Sequence, residues 1–140
     1  MTLTLAAAEQ ILADHFAPWV LDLGLTVESV ASHGTDVAVL RLPWSDRLAR
    51  EGGGLSGQAL MAAADTATVI AVAAARGGFV PMTTVQQSIS FQRAVTGSDV
   101  LVRARLTKAG KRMAFADIVM TAEGTEETAA HATAVYALLG

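Results

Sequence analysis

Residues 57–76, GQALMAAADTATVIAVAAAR, contain no proline, and their one charge before the terminal arginine is Asp65. Alanine, leucine and methionine are strong helix formers, so a helix is predicted from Gly57 to about Arg76, a rod about 30 Å long. It is apolar nearly all round rather than along one stripe, and such a helix has to be covered on most sides. A chain of 140 residues has the length of a single domain, 1–140, so its own remaining segments must supply the cover. A central helix enclosed by a wide apolar surface is the architecture this segment demands.

The remaining sequence offers that surface as strands. Val100, Val102, Ala104 and Leu106 alternate with Leu101, Arg103, Arg105 and Thr107, and Ala114, Ala116, Ile118, Met120 and Ala122 form a second face of period two. The two runs meet at Ala109-Gly110, a hairpin signal. Val85, Ile89 and Phe91 indicate a strand before them. Thr128 to Leu139 indicate one after, entered through a turn at Glu123-Gly124-Thr125. Two shorter strands are predicted around Leu25 to Ala31 and Val37 to Leu42, joined by a turn at Ser32 to Thr35, and residues 43–54 are read as an irregular loop. Leu5, Ala8, Ile11, Leu12, His15, Phe16 and Trp19 recur at helical spacing, giving an N-terminal helix with Pro18 near its end. Aromatic residues are only 5%, so helix and sheet are expected to meet through small side chains. The fold class is α+β, a largely antiparallel sheet against one long helix.

Charge and residue types exclude several functions. Ten Lys+Arg against thirteen Asp+Glu give a net charge of −3 and the few cations are scattered along the chain, which disfavours nucleic acid as a partner. The chain has no cysteine, hence no disulfide, thiolate metal site or cysteine nucleophile, and it fits a reducing compartment. The most apolar stretch, Ala59 to Ala75, is interrupted by Asp65, Thr66 and Thr68, so no membrane span is read. Met1 is not followed by the pattern of a signal peptide, and a cytoplasmic location is expected. His15, His33 and His131 lack metal-ligand spacing, so no metal is expected.

Asp65 is the residue that does not fit its surroundings. Aspartate is a weak helix former, and burying its charge unpaired is costly. Either a hydrogen bond to a neighbouring strand or partner accounts for it, or it is a general base or nucleophile in a water-poor cleft. A second candidate is the helix entrance, Ser56-Gly57-Gln58, where unpaired N–H groups and the positive end of the helix dipole can polarise a carbonyl, although Ser-Gly there is also an ordinary N-cap. Gly57 and Asp65 are eight residues apart, about 12 Å along the axis. An oxyanion donor and a base must both reach the reacting group, so one helix cannot supply both to one site. If they cooperate, Asp65 of one subunit faces Gly57 of another, across a two-fold homodimer.

The order of these segments resembles the hotdog-fold acyl-CoA thioesterases, particularly the phenylacetate-pathway (PaaI-like) group. The likeness runs from about Leu23 to Leu139 through LSGQALMAAADTATVIAV, TTVQQSISFQRAV and GSDVLVRARLTKAGKRMAFADIVM. The family's His-Gly-Gly motif falls on Ser56-Gly57-Gln58 and its Ala-Asp-Thr-Ala segment on Ala64 to Ala67. The resemblance implies a hotdog fold, a curved antiparallel sheet wrapped around the central helix, with an N-terminal helix added. It implies hydrolysis of a small aromatic or short- to medium-chain acyl-CoA. Asp65 would be the base or nucleophile, and the Gly57 amide would polarise the thioester carbonyl across the dimer interface. Ser56, Gln58, Met61, Thr66 and Thr68 are the candidate substrate contacts. Arg93 with Lys108, Lys111 and Arg112 is the cation cluster available to coenzyme A, which enters as part of the substrate and not as a cofactor. Dimers of this family also pair into tetramers. Trp19 and Trp44 are candidate covers for the substrate tunnel.

The chain departs from the family pattern at Ser56, in place of histidine, at Gln58, in place of the second glycine, and at Ala94, where proline is frequent. The missing histidine leaves a rival reading, a catalytically weak or inactive acyl-CoA-binding hotdog protein. A hydratase on the same fold would want a histidine near the helix entrance, and none lies there. A protein-interaction module would require Asp65 to be sealed away from any pocket.

Overall fold

A computed structural model describes residues 2–140; Met1, where the expected domain begins, lies outside the described residues. The chain folds as α1 (Leu5–Asp14), α2 (Pro18–Leu21), β1 (Thr26–Val30), β2 (Ala38–Leu42), α3 (Gly57–Arg76), β3 (Met82–Phe91), β4 (Val100–Ala109), β5 (Met113–Ala122) and β6 (Thr128–Leu138). Six strands form one antiparallel sheet in the order β1-β2-β4-β5-β6-β3, curved around α3, so β1 and β3 are its edges.

Helix α3 begins and ends where local chemistry dictates. Ser56 caps it, its Oγ accepting the Ala59 N–H at 3.2 Å, and Gly77 closes it in the left-handed region at φ +80°. Its length and composition would suffice to cross a membrane, but 78% of its most apolar window is buried within the fold. The cover is made of small side chains, as the low aromatic content requires. Ala63, Ala64, Ala67, Ala71, Ala73 and Ala74 of the helix are buried together with Ala38, Ala104, Ala114, Ala116, Ala130, Ala132 and Ala134 of the sheet. Close approach of helix and sheet follows from that pairing of small residues. Thr66 and Thr68 are buried as well, their hydroxyls donating to the Ala62 and Ala64 carbonyls at 2.8 and 2.9 Å.

Two expectations change. The N-terminal helix stops at Asp14, and Pro18 opens a separate short helix rather than ending the first, because proline suits a first helical turn, where its missing N–H costs nothing. Trp19 is accordingly 60% exposed instead of buried on the face formed by Ala8, Ile11 and Leu12. The loop 43–54 also contains one turn of 3-10 helix, Asp46–Leu48, capped by the Ser45 side chain. At its far end Gly52 and Gly53 take φ of +97° and +93°, which their lack of a Cβ permits.

Candidate active site

Asp65 meets two strands. Thr84 on β3 and Tyr136 on β6 are directly paired across the sheet, and both reach Asp65. The Tyr136 hydroxyl donates to Asp65 Oδ1 at 2.5 Å and also lies 3.0 Å from its backbone carbonyl, while Thr84 Oγ1 donates to the same Oδ1 at 2.8 Å. Among the described residues, Oδ2 accepts no hydrogen bond. Burial, and then the neighbouring Asp65 charge, raise the pKa of the Tyr136 phenol above its ordinary value, so it keeps its proton and stays a donor. The structural and chemical readings of Asp65 are therefore compatible: one oxygen is held by strands and the other is free.

The carboxylate lies in an open cleft of about 390 Å³ lined by Trp19, Gln58, Met61, Ala62, Asp65, Thr84 and Gln87. Gln58, Met61, Ala62 and Asp65 follow helical spacing, so one face of α3 forms its floor. Gln87 Nε2 donates to the Met61 carbonyl at 3.0 Å, tying β3 to the helix, whereas its buried Oε1 has no partner among the described residues.

Gly57 faces a different cleft, of about 250 Å³, with Arg50, Leu55, Leu60, Phe91, Arg93 and Val95 among its walls. The Phe91 ring covers the glycine so closely that a Cβ at residue 57 would stand 3.0 Å from Cζ. Ser56 Oγ and the Ser56 carbonyl take the Ala59 and Leu60 N–H groups. The Gly57 and Gln58 amides, at the positive end of the helix dipole, carry no bond among the described residues and can polarise a carbonyl. Because the Ser56 hydroxyl is used as a cap, Ser56→Ala should cost about 1 kcal/mol of stability and leave hydrolysis within a few-fold of wild type, measured by thermal melting and thiol release.

The sequence-predicted residues thus divide. Asp65, Gln58 and Met61 share one cleft, Gly57 and Arg93 share another, and Ser56 caps the helix between them. Thr66 and Thr68 line neither cleft; their hydroxyls are spent within the helix. The cation cluster also separates. Lys108, Lys111 and Arg112 lie at the β4–β5 hairpin, beside the C-terminal end of α3, where Arg76 reaches the Gly110 carbonyl at 3.4 Å. Arg93 is at the opposite end of the helix, paired with Glu127 at 2.5 Å. One chain does not gather these four side chains, because the hairpin follows a strand that runs the length of α3. Trp44 donates its indole N–H to Asp46 at 3.1 Å and lines neither cleft, unlike Trp19.

Arg50, Thr84 and Gln87, which line these clefts, and Tyr136, which bonds to Asp65, are residues that reading the sequence missed. Tyr136 had a signal: it continues the inward alternation Ala130, Ala132, Ala134 and is the only tyrosine in the chain. Of the histidines, His15 stacks on Phe79 at 3.7 Å between ring centroids, and His131 pairs with Asp117 at 3.0 Å. Among the described residues, no group of three His, Cys, Asp or Glu is placed to hold a metal.

The sequence profile of the thioesterase superfamily matches residues 52–129. Comparison with curated proteins gives no match. Among solved structures, zebrafish thioesterase superfamily member 2 is 26% identical, with 99% of this chain and 100% of that one covered and a TM-score of 0.84. Two more distant structures share the fold. The PaaI protein of the phenylacetic acid degradation operon of E. coli is 18% identical over 97% of this chain and 96% of its own, with a TM-score of 0.80. A hypothetical thioesterase from Streptococcus pneumoniae, solved with coenzyme A, is 15% identical over 83% and 86%, with a TM-score of 0.73. The matched segment covers more than half of the chain and includes α3 with Asp65 and Gly57, on a curved sheet shared with these structures: the chain belongs to the thioesterase superfamily and is a hotdog-fold thioester hydrolase.

Proposed function

We propose that the protein hydrolyses a small aromatic or short- to medium-chain acyl-CoA to the free acid and coenzyme A, at paired sites shared between two subunits. The observation that carries this reading is Asp65, with Oδ1 held by Tyr136 and Thr84 and Oδ2 unbonded beside a cleft. In the hydrolysis, Oδ2 takes a proton from water as the water oxygen bonds to the thioester carbonyl carbon. The oxyanion forms against the Gly57 amide of the second subunit. Its collapse breaks the C–S bond, and the leaving thiolate recovers the proton from Asp65.

Several features support sharing between subunits. Gly57 and Asp65 face separate clefts of one chain. The β3 edge is ten residues long and carries exposed Val85 and Phe91, with exposed Met61 and Trp19 nearby on the Asp65 cleft. An edge of this length and character is a template for pairing with another strand. Trp19, Met61 and Ala62 suit an aromatic ring or a short alkyl chain, and Arg50 and Arg93 beside Gly57 are the nearest cations for phosphates of coenzyme A. The structure of the Streptococcus pneumoniae thioesterase with coenzyme A lends the ligand class support.

The test is release of free thiol from a panel of aromatic and aliphatic acyl-CoAs at neutral pH. Turnover, with aromatic and short acyl groups favoured over long ones, is the expected result. Binding of acyl-CoA without thiol release would replace the hydrolase with the acyl-CoA-binding reading.

A further inference from the structure

We propose that Tyr136 is a positioning residue that sets the plane of the Asp65 carboxylate and so keeps one oxygen open to the cleft; this rests on the reading of Asp65 as the base. The two oxygens are equivalent and a half-turn about the last torsion only exchanges them, but a smaller rotation would turn the reactive lone pair away from the cleft. Here that rotation is opposed from one side only. Tyr136 and Thr84 both donate to Oδ1, at 2.5 and 2.8 Å, and Oδ2 receives no donor.

Tyr136 suits this role better than Thr84 does. Its ring is 2% exposed and fixed in the core, while Thr84 is exposed on an edge strand that bulges immediately after it, between Thr84 and Gln86. The hydroxyl therefore approaches Asp65 from a rigid base. Tyr136 lines a neighbouring cleft with His15, Phe16, Val69 and Phe79, which meets the Asp65 cleft at Thr84. It does not line the Asp65 cleft, so it acts through the carboxylate and not on the substrate. The proton Oδ2 takes from water passes back to the leaving thiolate, and the Tyr136 proton remains on its oxygen throughout.

Tyr136→Phe keeps the ring and removes only the donor. Its kcat should fall about tenfold to a hundredfold, the scale of a misplaced catalytic group, with KM within about twofold. In the background of Asp65→Asn it should cause little further loss, because the group it positions is already gone. An unchanged kcat, a change confined to KM, or losses that multiply in the double variant would overturn the proposal. An active Asp65→Asn protein would instead overturn the assignment of Asp65 as base, which separates the two failures. Should Tyr136→Phe not fold, tyrosine labelled with ¹³C at Cζ gives a single resonance in the wild type, since the chain has one tyrosine. That resonance should move in Asp65→Ala and be restored toward its wild-type position in Asp65→Asn, which keeps an acceptor oxygen. No movement in Asp65→Ala would also overturn the proposal.

Discussion

Asp65→Asn is expected to reduce thiol release by at least about two orders of magnitude, the scale of a lost general base, while the protein remains folded. The substitution preserves shape, and an asparagine Oδ1 still accepts from Tyr136 and Thr84 where the carboxylate does now. The atom that changes is Oδ2, which becomes an amide nitrogen with no lone pair to take a proton. Asp65→Ala is the instructive contrast. It removes the carboxylate acceptor and leaves the buried Tyr136 hydroxyl only the backbone carbonyl of residue 65, at 3.0 Å, costing about 1 kcal/mol of stability for the lost hydrogen bond. Thiol release and thermal melting of the two variants separate chemistry from folding: both should be inactive, and only Asp65→Ala should melt clearly lower. Hydrolysis retained by well-folded Asp65→Asn would remove the mechanism.

The part of the fold legible in the sequence is the part governed by short-range pattern. The α3 segment declares itself through composition and through Ser56 at its start, and the period of two places β4 and β5 on either side of Ala109-Gly110. Asp65 stands out because its chemistry conflicts with its neighbours. What the sequence conceals depends on register between distant segments. Tyr136 is 71 residues from Asp65, and only the pairing of β3 with β6 brings Thr84 and Tyr136 to the same carboxylate oxygen. The cations divide between the two ends of α3 for the same reason. Arg93 and the hairpin residues Lys108, Lys111 and Arg112 are near in sequence, but β4 carries the chain from one end of α3 toward the other between them. Pro18 misled differently, since proline both ends helices and begins them.

The proposed sharing of sites between subunits makes a quantitative prediction that no single-chain site can meet. Gly57→Val places branched carbons where the thioester carbonyl would approach the amide, and its Cβ alone would stand 3.0 Å from the Phe91 ring. Hydrolysis by this variant should fall at least about a hundredfold, the scale of a lost oxyanion donor. Co-expressed with Asp65→Asn, it should nevertheless recover activity. In a mixed dimer one site carries both defects, and the other combines an intact Asp65 with an intact Gly57. Random pairing makes half of the dimers mixed, each with one working site of two, so about a quarter of wild-type activity should return. Thiol release from co-purified, differently tagged chains measures this directly. If the mixture is as inactive as its components, although mixed dimers form, then Gly57 and Asp65 do not serve one site across an interface. The separation of their clefts would then mean that Gly57 lies outside the reaction and that the donor to the oxyanion must be sought among the groups around Gln58.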